Sequence, residues 1–390
     1  MTTVNETTMN DRVLLCLCHM SGRETEYVKQ AFDDNWVVPL GPNVDGFEED
    51  LQQFIDNSCH VAALSAGTAA IHLGLVLLGV GRDDEVICQS MTFSASANPI
   101  SYVGAKPVFV DSEPDTWNMS PALLEKAIID RKKATGRYPK AVIAVDLYGM
   151  PARWDEINAI ASRYGIPVLE DAAEALGSSY RGRKCSTFGE MGALSFNGNK
   201  MITTSGGGAL VCHSEEMKKR AVFLATQARE PFPWYQHETI GYNYRLSNIC
   251  AGIGRGQMHI LNEHIAHHRM VHARYAELLK DIPGISLHSN PDGDFDSNYW
   301  LCNILIDSDI TRFTPEQLRI ALGDANIESR LLWKPMHMQP VFAGAPAYTD
   351  GTSERLFASG LCIPAGPYVG LPEIDRIVDV ICKLHCYDKR

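Results

Sequence analysis

Short, nearly continuous apolar runs recur along the first half of the chain, and each gives way to a stretch with apolar residues at helical spacing. Val61–Leu64, Glu85–Cys88, Pro107–Asp111, Ala141–Asp146 and Ile166–Glu170 have the length and content of strands. Ala69–Leu78, Ser94–Tyr102, Pro121–Arg131 and Trp154–Tyr164 fall between or after them with helical periodicity. Strands that are apolar on both faces suit a parallel sheet covered by helices on both sides. Their strict alternation with helices predicts an α/β fold. Upstream, Glu24–Asn35 and Gly46–Ile55 read as helices. From Arg245 to about Leu279 the chain is free of proline and periodically apolar, which predicts one long helix leaving the first domain. A smaller α+β region is expected beyond it, with strand Tyr299–Ile306, helix Pro315–Ala325, strand Leu361–Pro364 and a terminal helix Leu371–Leu384. The expected division is a large domain over 13–265 and a small C-terminal domain over 266–390, with residues 1–12 a frayed polar terminus.

A length of 390 residues is too great for one small core and suits such a two-domain plan. The formal net charge of −12 argues against a nucleic-acid partner and against docking on an anionic membrane. The eleven cysteines are odd in number and follow no framework, so free thiols in a reducing cytoplasm are expected. The apolar run Val13–Cys18 is far too short to span a bilayer.

Against this background one lysine stands apart. Lys200 lies between the run Ser195-Phe196-Asn197-Gly198-Asn199 and the glycines Gly206-Gly207-Gly208. Small, hydroxylated and flexible neighbours let backbone and side chain close on a ligand. Upstream, Ile166–Glu170 reads as a buried strand that ends in Asp171. An amine that condenses with an aldehyde and an acid at a strand end are what pyridoxal phosphate needs from a protein. The acid keeps the cofactor's ring nitrogen protonated. Ser65-Ala66-Gly67-Thr68 precedes a helix and offers backbone donors for a phosphate. Ser195 could add a hydroxyl, and Phe93 an aromatic face for the ring. Each residue also has an ordinary use: a surface lysine, an aspartate N-cap, a plain strand-to-helix turn, a core phenylalanine.

Taken together, the blocks Ser65–Ala70, Glu170–Gly177, Ser195–Gly208, Gly241–Leu246 and Arg330–Phe342 resemble the DegT/DnrJ/EryC1/StrS group of pyridoxal phosphate-dependent nucleotide-sugar aminotransferases. The resemblance implies a fold-type-I architecture: a large domain with a mainly parallel seven-stranded sheet and a smaller C-terminal α+β domain. It also implies a homodimer with active sites shared between subunits. It assigns Lys200 to the covalent link with the cofactor and Asp171 to the pyridine nitrogen. Glu174 would contact the ring hydroxyl, Gly67, Thr68 and Ser195 the phosphate, and Phe93 the ring face. Asn243 would reach the phosphate from the neighbouring subunit. Within the group the text is most similar to enzymes that aminate C4 of UDP-4-keto-6-deoxy-N-acetylglucosamine in the bacillosamine pathway, with glutamate as donor. Arg330 and His337, and less directly Arg229 and Arg245, become candidates for the nucleotide sugar, since a guanidinium donates two parallel bonds to diphosphate. Other keto sugars (C3, or TDP- or GDP-linked), a sugar dehydratase and a non-catalytic regulator on the same fold are the alternatives. The chain departs from its relatives at Cys16-Leu17-Cys18, where Ser and Pro are usual.

Three further patterns carry no assignment at this stage. His259, His264, His267, His268 and His272 include i,i+4 pairs, but a solvated helix face is preferred over a metal site. Cys16-x-Cys18-His19 has no second pair. Gly252-x-Gly254-x-Gly256 lies in a helical pattern and is read as close helix packing, not as a dinucleotide loop.

Overall fold

The computed structural model describes residues 12–387, with side chains to 385. The terminus expected at 1–12 therefore lies almost wholly outside the described residues. The central sheet contains β1 (His60–Leu64), β2 (Glu85–Gln89), β3 (Lys106–Val110), β4 (Ala141–Val145), β5 (Val168–Asp171), β6 (Met191–Ser195), β7 (Gly208–Cys212) and β8 (Ala347–Tyr348). Their order is β1-β7-β6-β5-β4-β2-β3-β8. Only β7 runs against its neighbours; every other adjacent pair is parallel. The sheet thus has the seven strands expected, plus an eighth of two residues donated by the C-terminal part of the chain.

Both faces are dry. Val86, Cys88, Phe109 and Ile143 pack with Ile71, Leu73 and Ile100 on one side, while Ile87, Val108, Val142 and Ala144 pack with Leu124, Ile128, Trp154 and Ile157 on the other. This accounts for the unbroken apolar runs, since successive side chains point to opposite faces and each face meets helices. The carboxyl ends of β4 and β5 lie side by side, with Val145 opposite Asp171 and Asp171 opposite Ala193. In such sheets the ligand crevice opens beyond these ends.

The C-terminal region holds an antiparallel four-stranded sheet, with Ile285–Leu287, Cys302–Ile306, Gly360–Ile363 and Arg330–Leu331 in that order. Its core, with Ile304, Phe313, Leu322 and Ile377, also contains Val271 and Tyr275 from the helix before it.

Three expectations need correction. The long helix is two, Asn248–Met258 and Leu261–Leu279. The first starts late because Ser247 caps it, its hydroxyl accepting the Cys250 N–H, while Arg245 lies in extended chain bridged to Leu64. The strand expected from Tyr299 begins at Cys302, because Tyr299 has a left-handed backbone (φ 49°) and turns the chain. The histidine face is not solvated: His264, His268 and His272 are buried, each bonded to a different backbone carbonyl, those of Met201, Tyr299 and His288. Burial pushes all three imidazoles down, His268 to about 3. At the Gly252, Gly254 and Gly256 positions a β-carbon would strike residues of the helices Glu24–Asp33 and Pro42–Ile55, so these glycines serve close packing.

Candidate active site

A cavity of about 300 Å³ opens beyond the ends of β1, β5 and β6. Its floor is Asp171, the last residue of β5, which is 5% exposed. One carboxylate oxygen accepts the Ser96 hydroxyl at 2.5 Å and the other accepts the Ala173 N–H at 3.2 Å. Burial pushes this carboxyl up; the Ser96 and Ala173 bonds and the Lys200 charge oppose the shift.

Lys200 reaches the cavity from the loop joining β6 to β7. That loop is fixed at both ends: Phe196 N–H donates to the Gly207 carbonyl at 2.8 Å, and Thr204 N–H to Phe196 at 3.0 Å. The Lys200 carbonyl accepts the Cys18 thiol at 2.6 Å. Its ammonium lies 3.1 Å from Glu174 Oε1 and 4.1 Å from the centre of the Trp300 ring. Glu174 is itself oriented, because Oε2 accepts the Tyr148 N–H at 2.7 Å. Burial raises the Glu174 carboxyl, with Lys200 working the other way.

The third wall is the start of helix Gly67–Leu77. Its N-cap, Ala66, has no side chain able to accept, so the first backbone N–H groups face the cavity uncapped. A helix N-terminus in that state favours an anion, through free donors and the helix dipole together. The approach to β6 and β7 is close. A β-carbon on Gly67 would lie 3.0 Å from Ser195 Cβ, and one on Gly208 would strike the Ala66 and Gly67 backbone. Phe93, half exposed, stands at the rim beside Trp333, with ring centres 5.5 Å apart.

The structure thus brings Lys200, Asp171, Glu174, Gly67, Thr68, Ser195 and Phe93 to one cavity. Asn243 does not line it and is exposed. The four substrate candidates also lie outside the lining. Arg229 is exposed and stacks on Tyr235 at 4.1 Å. Arg330 is exposed and pairs with Glu328 at 2.8 Å. His337 is held between Ser90 Oγ at 2.6 Å and Glu354 Oε1 at 2.9 Å. Arg245 is half-buried and paired with Glu48, which also takes Lys218 at 2.8 Å. Sequence reasoning missed Trp300, Trp333, Thr92 and Ser96. Trp300 was hidden inside an expected strand, and only the turn at Tyr299 aims it at Lys200.

These features can be matched to known proteins. The profile of the DegT/DnrJ/EryC1/StrS aminotransferase family fits residues 19–382. EpsN of Bacillus subtilis (strain 168), whose name assigns it provisionally to the pyridoxal phosphate-dependent aminotransferases, is 47% identical over 380 residues, 96% of each chain. The chain belongs to this family. It is a pyridoxal phosphate-dependent aminotransferase. The GDP-perosamine synthase of Escherichia coli O157:H7 is 35% identical over 362 residues, 93% of this aminotransferase and 95% of that protein. A solved DegT DnrJ EryC1 StrS aminotransferase from Brucella abortus superposes with a TM-score of 0.86 at 29% identity, covering 93% of this chain and 95% of that one. The cavity fits the cofactor chemically: an uncapped helix start for its phosphate, a buried carboxylate for its ring nitrogen, and an amine between them for its aldehyde. No helix among the enzyme's described residues is long and apolar enough to cross a membrane.

Proposed function

We propose that this enzyme transfers the amino group of glutamate to C4 of a UDP-linked 4-keto-6-deoxy-N-acetylhexosamine, giving a 4-amino sugar for a surface glycan. The observation that carries the amino-transfer part is the meeting of Lys200 and Asp171 on the walls of one cavity, beside an uncapped helix start. The nucleotide sugar is supported by the name of the GDP-perosamine synthase relative. The UDP sugar and the C4 position rest on the resemblance in the blocks Glu170–Gly177, Ser195–Gly208 and Arg330–Phe342.

When bound, pyridoxal phosphate supplies the aldehyde that takes up the amino group and the electron-poor ring that eases loss of a proton from carbon. The protein's own residues do the rest. Gly67 and Thr68 N–H groups and the Ser195 hydroxyl would hold the phosphate. Asp171 would keep the ring nitrogen protonated, and a facing cation in turn keeps a buried carboxylate ionised. Lys200 Nζ takes the proton from the donor's Cα in the first half-reaction and delivers one to the sugar carbon in the second, as a general base and then acid. Glu174 would contact the ring hydroxyl, and Phe93 would cover the ring. Arg229, Arg245, Arg330, His337 and Asn243 lie outside this cavity. A part in the site for any of them rests on a homodimer in which a second subunit completes the cavity, and Arg245 would first have to leave Glu48.

The test is incubation with glutamate and the UDP-linked 4-keto sugar, followed by NMR of the product. Ring couplings that place nitrogen at C4 support the assignment. Amination of only GDP- or TDP-linked sugars, or at C3, would replace it with that substrate.

A further inference from the structure

We infer that Trp300 is a positioning residue for Lys200: its indole face and the Glu174 carboxylate form a seat that receives the lysine's ammonium each time the amine is released from the cofactor. This rests on the reading of Lys200 given above. In that reading the amine must alternate between two conditions, linked and free. A free ammonium in a pocket shielded from water needs partners, because an unpaired buried charge is costly.

The structure supplies two. Glu174 Oε1 lies 3.1 Å from Nζ, and the Trp300 ring centre 4.1 Å from it. The second contact is well inside the range at which a ring quadrupole attracts a cation. Asp171 and Glu174 are the other charged side chains lining the cavity, and the N-terminal segment brings two thiols to Lys200, that of Cys16 and that of Cys18, which is bonded to the Lys200 carbonyl. Burial pushes both thiols up, Cys16 to about 12, so both stay uncharged. The indole differs from Glu174 in being neither acidic nor a hydrogen-bond acceptor.

The seat is also built as a unit. Trp300 is 2% exposed and its indole N–H donates to the Asn199 carbonyl at 2.6 Å, locking the ring to the residue before Lys200. Trp300 N–H donates to Asn298 Oδ1 at 2.9 Å, and Asn298 Nδ2 donates to the Glu174 carbonyl at 2.8 Å. A single turn, Asn298–Trp300, thus grips the backbone of both Lys200's loop and Glu174. Between them Tyr299 holds the left-handed conformation, φ 49°. Such strain in a non-glycine residue persists only where surroundings over-determine it, and it concentrates at functional sites. The turn leads into the strand Cys302–Ile306 of the C-terminal sheet, so the second half of the chain reaches the lysine through this ring.

The test compares Trp300→Leu and Trp300→Met, which remove the aromatic face, with Trp300→Phe, which keeps one six-membered ring and loses the N–H-bearing half of the indole. Each is stripped of cofactor and mixed with pyridoxal phosphate at one fixed pH, and the rate of covalent capture is read by stopped-flow absorbance. Removing the ring should slow capture by about tenfold, because the amine loses one side of its seat. Trp300→Phe, which restores an aromatic face, should recover most of that rate. Melting curves identify any variant that has lost its fold, and either aliphatic variant suffices. A folded Leu or Met variant that captures the cofactor at the wild-type rate overturns the inference. A wild-type protein that forms no covalent adduct, or a Lys200→Ala protein that still forms one, overturns the underlying reading of Lys200 instead, a distinguishable result.

Discussion

At residue scale the site is an arrangement of one amine and two buried acids whose charges depend on each other. On the mechanism proposed above, Lys200→Ala should lower turnover by roughly 10³-fold or more, since it would remove both the covalent link and the proton carrier. Steady-state rates with the keto sugar, alongside circular dichroism to show an intact fold, check this. Asp171→Asn should reduce kcat by about 100-fold, because the amide cannot hold a proton on the ring nitrogen through its charge; a stopped-flow measurement with glutamate alone isolates that effect. Arg245 behaves differently. It is half-buried against Glu48 and the Ala63 carbonyl, and Glu48 keeps Lys218 when Arg245 is removed, so Arg245→Ala should cost roughly 1–3 kcal/mol of stability, the loss of charge-assisted hydrogen bonds. A melting temperature unchanged from wild type would free Arg245 for a role in binding. Lys200 and the cavity-lining Gly67 and Thr68 were legible in the sequence because each sits at a boundary between an apolar run and a glycine or hydroxyl cluster, and Asp171 because it closes a buried apolar strand. Trp300 was not legible, because aromatic residues ahead of a strand carry no local sign of which way they point.

At the scale of elements, the cavity depends on how closely the helix start approaches β6 and β7. Gly208→Ala should push the Ala66–Gly67 backbone away and weaken pyridoxal phosphate binding by about tenfold or more, measurable by equilibrium dialysis. Behind the cavity, β4 and β5 end in a buried cluster of Asp146, Glu170 and Cys185. Burial raises the Glu170 carboxyl too, against the N–H groups of Ser186, Phe188 and Gly189 that it accepts and that favour its charge. Asp146 is raised well above its ordinary value of 3.8 by burial and then by Glu170 beside it. The folded state therefore holds this proton more tightly than the unfolded chain. Its contribution to stability is full below pH 3.8 and is lost as pH rises through the higher folded-state value. Asp146→Asn should remove that decline, so the variant's melting temperature should gain on wild type as pH rises, in a series of thermal melts across that range. The first five strands and the helices between them could be read directly, since burial on both faces writes itself as unbroken apolar runs. The break between Met258 and Leu261 could not: no proline marks it, the glycines Gly252, Gly254 and Gly256 before it serve helix packing, and the side chains about it are held by distant partners, Gln257 by the His19 carbonyl and His259 by the Tyr27 hydroxyl.

For the whole molecule, the distant contributions matter most. An exposed apolar segment, with Trp234 at 59% and Ile240 at 83% exposure, lies just before Asn243. If two subunits share their sites as proposed, a mixture of Lys200→Ala and Asn243→Ala chains should regain about a quarter of wild-type activity, because half the pairs are mixed and each mixed pair has one intact site. No recovery on mixing, with exchange shown by mass spectrometry, would rule out sharing through Asn243. The primary sequence alone determined the layered α/β plan and singled out the amine and the acid that line one cavity. Those follow from local rules: periodicity, composition and the residues that punctuate strand ends. Tertiary structure alone decided which groups meet around Lys200, that the histidine face turns inward, and that Arg245 is spent on Glu48. These depend on contacts between segments far apart in the chain, and a side chain's partner is set by packing, which no local pattern encodes.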